Sequence, residues 1–334
     1  MQFVLALLYF ISLARAASRT TAPSGALVVA KSGGQYTKIQ DAVNALSTSS
    51  TAAQAIFVNP GTYDEQVYIP ARSAALTIYG YTADTSSYGS NQVTITHGFS
   101  QATVSGGNDM TATVRAWSSN FKMYNINMVN SYGKGSQALA LSAQATNQGY
   151  YACQFKGFQD TILANKGAQV FAKSLIVGAT DFIFGQTATA WFDQCDIRVL
   201  AASLGYITAN GRDSSSNPSY YLFNRCTVAA MDGNSVTNGA YYLGRPWRNY
   251  ARVVFQRTSL SAVINGAGWH IWNTGEANTD HVTFGEYSNT GAGASGTRAS
   301  FSTKLSSPVS ISTILGSGWS SASYVDNAYL YGDS

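Results

Sequence analysis

The segment Tyr151-Ala152-Cys153-Gln154-Phe155-Lys156-Gly157 recurs along the chain. It returns as Phe171-Ala172-Lys173-Ser174-Leu175-Ile176-Val177-Gly178, then as Trp191-Phe192-Asp193-Gln194-Cys195-Asp196-Ile197. Further copies are Leu222-Phe223-Asn224-Arg225-Cys226-Thr227-Val228 and the looser Val253-Val254-Phe255-Gln256-Arg257-Thr258-Ser259-Leu260. Each has an apolar, mostly aromatic lead, a polar turn, a small residue and a short apolar run. The small residue stands at 153, 174, 195, 226 and 258, so the intervals are 21, 21, 31 and 32 residues. One strand-rich unit per period is the signature of a solenoid. Helical solenoids need Ala- and Leu-rich helix pairs, which these segments lack. The pattern therefore predicts an all-β fold, a single parallel β-helix in which each period is one coil and the longer periods carry longer loops on one face.

The flanks fit this architecture. In Thr37–Leu46, the apolar residues Ile39, Ala42, Val43 and Leu46 fall at i, i+3, i+4 and i+7, a helical stripe. A helix there would cap the open N-terminal edge of the solenoid against strand addition. Ala55–Val58 reads as a buried strand ending at the turn Asn59-Pro60-Gly61. The Ser-rich tail from about Ser300 packs along the outside or over the C-terminal end. Cys195 and Cys226 share one position on successive coils. Neighbouring coils lie ~4.8 Å apart, so the pair either stacks as small core residues or forms a disulfide.

The same register brings polar residues together. Gly157-Phe158-Gln159-Asp160-Thr161 aligns with Gly178-Ala179-Thr180-Asp181-Phe182, one 21-residue period later. Like positions on adjacent coils are ~4.8 Å apart and point the same way. Two carboxylates at that distance do not both ionise freely, so one keeps its proton while the other stays charged. Gln137, 23 residues before Asp160, joins Gln159 on this face, and two amides can donate to an oxyanion. Asp181 opens the apolar run Phe182-Ile183-Phe184 and needs a cation. Arg245, in Leu243-Gly244-Arg245-Pro246-Trp247, is the best candidate. Phe184 and Trp247 offer flat rings to a sugar. Against all this stands a structural reading: β-helices commonly stack Asn and Asp as turn residues, surface arginines are ordinary, and aromatics fill cores.

Composition narrows the classes further. Only 11% of the 334 residues are charged, while Gly and Tyr are abundant, as strand-and-turn proteins require. The first residues run apolar from Phe3 to Leu13 and end in Ala14-Arg15-Ala16. We read 1–16 as a secretory signal and 17–334 as one catalytic domain, secreted and with no membrane-spanning segment. Without Arg15 the formal charge falls from +4 to about +3, which suits an acidic polymer. No Lys/Arg run suggests nucleic acid. There is no Gly-x-Ser-x-Gly elbow, His97, His270 and His281 lack metal-ligand spacing, and no Asn-x-Ser/Thr sequon occurs.

These residues resemble the fungal pectin methylesterases, in the aspartyl carbohydrate-esterase family. Five blocks match in order: Gly61-Thr62-Tyr63-Asp64-Glu65, Gln137-Ala138-Leu139-Ala140-Leu141, Gly157-Phe158-Gln159-Asp160-Thr161, Asp181-Phe182-Ile183-Phe184-Gly185 and Leu243-Gly244-Arg245-Pro246-Trp247. Ile207-Thr208-Ala209-Asn210-Gly211-Arg212 and Glu286-Tyr287-Ser288-Asn289-Thr290-Gly291 match as well, and the likeness spans about Leu27 to Leu315. Each block alone is unspecific, but five in order are highly specific. The resemblance implies a right-handed parallel β-helix that hydrolyses galacturonate methyl esters. It implies Asp181 as nucleophile, Asp160 as general acid/base, Gln137 and Gln159 as oxyanion donors, and Arg245 as the partner of Asp181. Trp247 and Phe184 become sugar-cleft aromatics. It implies no metal and no organic cofactor, with pectin as the partner; a capped β-helix has no open edge demanding a second copy, so a monomer is expected. Phe158 and Asn210 depart from the family's commonest tyrosine and glutamine. A pectin-chain-cleaving hydrolase or lyase on the same fold is the alternative. The histidine motif of the hydrolases is absent, since His97-Gly98 lacks a preceding Gly, and no acidic Ca²⁺ cluster serves a lyase.

Overall fold

The computed structural model describes residues 17–332, so the proposed signal at 1–16 lies outside the described residues. Every pairing between named strands is parallel, and the strands fall into three sheets of eleven, eight and seven strands. Non-consecutive strands are neighbours throughout, because the chain visits the three sheets in turn. One coil runs through Gln148–Tyr151, Gln154–Lys156 and Ile162–Ala164; the next through Lys166–Ala172, Leu175–Gly178 and Ile183–Gly185. Parallel crossovers of this kind are right-handed. The fold is a right-handed parallel β-helix.

The repeat has a physical basis in one corner. Ala152, Lys173, Gln194, Arg225 and Arg257 all have left-handed backbone, with φ between 48 and 53°. Each immediately precedes the small residue of its copy. The left-handed corner turns the chain from the eleven-stranded to the eight-stranded sheet, and the small residue lets coils stack beside it. Inside the coils the aromatic leads stack in register: Tyr150, Phe171, Phe192, Phe223 and Phe255 lie 4.9, 4.6, 4.5 and 4.2 Å apart between ring centroids. Their planes are nearly parallel and all five are fully buried. The extra residues of the longer periods fall between Val199 and Gly205, Asn210 and Tyr220, and Ala230 and Tyr241. They are loops at the two margins of the seven-stranded sheet, which therefore lies in a trough.

The N-terminal helix is shorter than its apolar stripe, Ile39–Ala45, and buries Ile39, Ala42 and Val43. Lys38 offers no side-chain cap. Instead the Ile39 and Gln40 amides donate to the two carboxylate oxygens of Glu65, at 2.8 and 2.9 Å. An acceptor from elsewhere in the chain thus fixes the helix start. The strand Gln54–Val58 pairs with Leu27–Val29 on one side and Leu76–Gly80 on the other. The tail does both things expected of it. Ser302–Lys304 adds the terminal strand of the large sheet, and the helix Ile311–Leu315 with Tyr324, Val325, Tyr329 and Leu330 covers that sheet's outer face. Cys153, Cys195 and Cys226 are free and buried. Of the two possibilities for Cys195 and Cys226, the structure shows stacked thiols. Burial, then the neighbouring Cys195, pushes the Cys226 thiol up.

Candidate active site

The sequence-predicted site residues gather at the seven-stranded sheet. Asp160 and Asp181 sit two residues before its strands Ile162–Ala164 and Ile183–Gly185, whose Ile162 and Ile183 are paired. The preceding residues, Gln159 and Thr180, form a parallel bridge, and the Asp160 amide donates to the Thr180 carbonyl at 3.1 Å. The two aspartates therefore occupy equivalent positions on adjacent coils, as their spacing predicts. Both also have left-handed backbone, φ 64° and 50°. Asp tolerates that region better than most residues, so the structural reading of these aspartates as corner residues holds as well. A corner explains why a short polar residue stands there, but leaves unexplained why both are acids.

Their surroundings differ. Asp181 receives a two-pronged pair from Arg245, Nε to Oδ1 at 2.9 Å and Nη2 to Oδ2 at 2.7 Å. Among the described residues, the Asp160 carboxyl receives only a long contact from the Asn108 amide, 3.5 Å. The carboxyls are 6% and 7% exposed as residues, so solvation of a second charge is poor. Burial raises the pKa of Asp160 well above the carboxyl range, the Asp181 charge raises it further, and Arg245 opposes. Burial also raises Asp181, and the Arg245 hydrogen bonds and charge pull it back. Desolvation outweighs the pull of Arg245. Both carboxyls are thus pushed up by burial, but Arg245 offsets this at Asp181 through direct hydrogen bonds that Asp160 lacks. Desolvation lowers Arg245, but pairing with Asp181 outweighs this and holds it cationic.

Arg245 is itself clamped. Its guanidinium lies 4.2 Å from the ring centroids of both Tyr206 and Trp272, and Nη1 donates to the Trp272 carbonyl at 3.2 Å. Such a sandwich holds a planar cation in one orientation and shields it from water. The cleft above the dyad encloses about 240 Å³ and is lined by Gln137, Gln159, Phe184, Trp247, Trp272 and Asn108, among others. Phe184 is 3% exposed and forms the cleft floor with Leu163 and Ala209, while Trp247 stays half-exposed at the rim. Phe184 both packs against Leu163 and Ala209 and lines the cleft. Among the described residues, neither the Gln137 nor the Gln159 amide donates to a protein group. Gln137 is two positions out of step with Asp160, since the register is Leu141 to Ile162. It still reaches the cleft because it precedes the strand on a loop.

All seven sequence-predicted residues meet at this cleft. Three lining or supporting residues were missed. Asn108 and Trp272 lie outside every repeat copy and matching block, so no spacing signal pointed to them. Tyr206 directly precedes the block Ile207–Arg212 and could have been found from its place in the strand Gly205–Asn210. Within that block Ala209 lies in the cleft floor, while Asn210 and Arg212 serve structure: Asn210 bonds Ser219 and Arg252, and Arg212 holds the carbonyls of Ser215, Asn217 and Tyr250. Among the described residues no group of three or more His, Cys, Asp or Glu could hold a metal ion. No helix there is long and apolar enough to cross a membrane.

Comparison with known proteins bears on the family and the fold. A family model described as pectinesterase matches residues 26–307. The chain is 56% identical over 329 residues to a pectinesterase of Aspergillus niger, covering 98% of both chains. It is 56% identical over 329 residues to a pectinesterase of Aspergillus aculeatus, covering 98% of this chain and 99% of that one. Its fold superimposes on the crystal structure of an Aspergillus niger pectin methylesterase with a TM-score of 0.87 at 43% identity, over 94% of this chain and all of that one. The carrot pectin methylesterase gives a TM-score of 0.81 at 27% identity, over 93% of this chain and 98% of that one.

Proposed function

The chain belongs to the pectinesterase family, and we propose that Asp160 and Asp181 carry out its reaction. The enzyme hydrolyses the methyl esters of galacturonate units in pectin, giving methanol and demethylated pectin. The observation that carries the residue assignment is the asymmetry of the dyad: two buried carboxyls in one register position, only one of them gripped by a cation.

Asp181, ionised, attacks the carbonyl carbon of the ester. The carbonyl electrons move onto oxygen, and the free amide hydrogens of Gln137 and Gln159 receive the oxyanion, each donor worth about 3–4 kcal/mol in such sites. The tetrahedral intermediate collapses with cleavage of the bond to the methoxy oxygen. Asp160 supplies the proton, methanol leaves, and an anhydride joins Asp181 to the sugar. Asp160, now a carboxylate, takes a proton from water as that water attacks the sugar acyl carbon. Asp181 departs as a carboxylate and Asp160 is again protonated. Trp247 and Phe184 hold the sugar ring, and Tyr206 and Trp272 keep Arg245 aligned on Asp181.

Residues 17–334 act as one catalytic domain, and residues 1–16 direct secretion; the protein from culture medium should begin at Ala17. The decisive assay is methanol release from highly methylated pectin with EDTA present, alongside Asp181→Asn. Methanol from the wild type, none from the variant and no new reducing ends or unsaturated product support the assignment. Activity that survives in the variant would refute it, and chain cleavage would favour the hydrolase or lyase.

A further inference from the structure

We propose that a second, distal subsite for the galacturonan chain lies on the catalytic sheet, built on Trp117 and Tyr68. The inference rests on the cleft being the seat of the scissile ester. Ala116, Ala143, Ala164, Gly185, Asn210 and Pro246 are aligned across the seven-stranded sheet or at its strand ends. The next residues along the chain are Trp117, Gln144, Asn165, Gln186, Gly211 and Trp247. The backbone amides of Gln144, Asn165, Gly211 and Trp247 donate to carbonyls of the preceding coil, which keeps these positions in step. They form one ridge, five coil steps long, about 24 Å at ~4.8 Å per step.

From Gln144 to Trp247 the ridge is linked through its side chains, and the Gln144 backbone N–H joins it to the Ala116 carbonyl beside Trp117. The Asn165 amide donates to Gln144 Oε1 at 2.9 Å, and the Gln186 backbone N–H donates to Asn165 Oδ1 at 3.2 Å. At Gly211 a Cβ would lie 2.7 Å from a Trp247 ring carbon and 3.0 Å from the Gln186 side chain. The missing side chain is what lets Trp247 lie down against the amides. One end of the ridge is therefore the aromatic rim of the cleft. Its middle is neutral amide, suited to sugar hydroxyls.

The other end is also built. Trp117 is 41% exposed, yet its indole N–H is held by Asp109 Oδ1 at 3.1 Å. Asp109 Oδ2 in turn accepts from Arg115 Nε and Nη2 at 2.9 and 2.6 Å. The Arg115 guanidinium lies 4.7 Å from the ring of Tyr68, which is 38% exposed. Two aromatic faces are thus fixed in advance of any ligand, at low ordering cost. Asp109 follows Asn108, the residue that lines the cleft beside Asp160. The same short helix, Asn108–Thr111, borders both sites. Continuity with the cleft singles out the occupant: the far end of the same uronate chain. Asp109 takes up the charge of Arg115, so the platform grips sugar faces and accepts methylated and free units alike.

The test is kcat/KM for methanol release from methyl-esterified oligogalacturonates of increasing length, by wild type, Trp117→Ala and Trp117→Phe. The wild type should show a late rise at the lengths that first span the ridge. Trp117→Ala should lose that rise, roughly two- to tenfold for one aromatic contact, and Trp117→Phe should keep most of it. A late rise that survives in Trp117→Ala, its absence from the wild type, or an equal loss at every length would overturn the subsite. Wild-type protein that released no methanol at any length would overturn the reading of the cleft instead.

Discussion

Two polar columns run up this β-helix at the same coil spacing, and they do different things. On the catalytic sheet Asp160 stacks on Asp181. On the outer face of the large sheet Asp193 is paired in register with Asn224, and Asn224 with Gln256. In the second column each group satisfies the next. Asn224 donates to Asp193 at 2.7 Å and Gln256 to Asn224 at 3.0 Å. The column also pins the tail, through the amides of Tyr331 on Asp193 and Val309 on Gln256. A carboxylate stacked on amides is a structural ladder. A carboxylate stacked on a carboxylate leaves one proton undecided, and Arg245 decides it.

The largest effect should come from breaking the first column. Asp181→Asn turns it into a copy of the second, and methanol release should fall by about four orders of magnitude while the circular dichroism spectrum is unchanged. Next is the converse change. Asn224→Asp stacks a second acid on Asp193 with no arginine clamp, and should destabilise the fold by about 3 kcal/mol in urea titration. Burial already raises Asp193. A raised folded pKa means that stability is lost as pH rises from the unfolded carboxyl value through the folded one. The Asn224→Asp penalty should therefore deepen with pH, and a constant penalty would contradict the account. The smallest effect is on titration. Arg245→Lys removes the two-pronged grip, so Asp181 rises further and the acid limb of the kcat/KM profile moves to higher pH. A limb that stays in place would mean that Arg245 only packs.

Much of this was legible in the chain because a solenoid converts sequence interval into distance. The step from Asp160 to Asp181 equals the step from Cys153 to Ser174, so a spacing of 21 residues sufficed to pair the acids. Gln159 came with that pairing, whereas Arg245, in register with Phe184 rather than Asp181, was legible only as a candidate cation in a family block. What stayed hidden depends on loops or on balances of energy. Asn108 enters from a short helix outside the repeat. Trp272 reaches Arg245 from a segment that contributes no strand to the sheet. The helix start at Ile39 is set by Glu65, distant in sequence. The net rise of Asp181 follows from how deeply the cleft walls bury it, which no motif records.

The central claim is that Asp160 keeps a proton beside an ionised Asp181. Infrared difference spectra of wild type against Asp160→Asn, at about pH 6, above the ordinary carboxyl range, test it most directly. Asp193 contributes equally to both proteins and cancels. The account predicts a protonated-carboxyl band in the wild type that is lost in Asp160→Asn. No such band in the difference, or one lost only on Asp181→Asn, would contradict it.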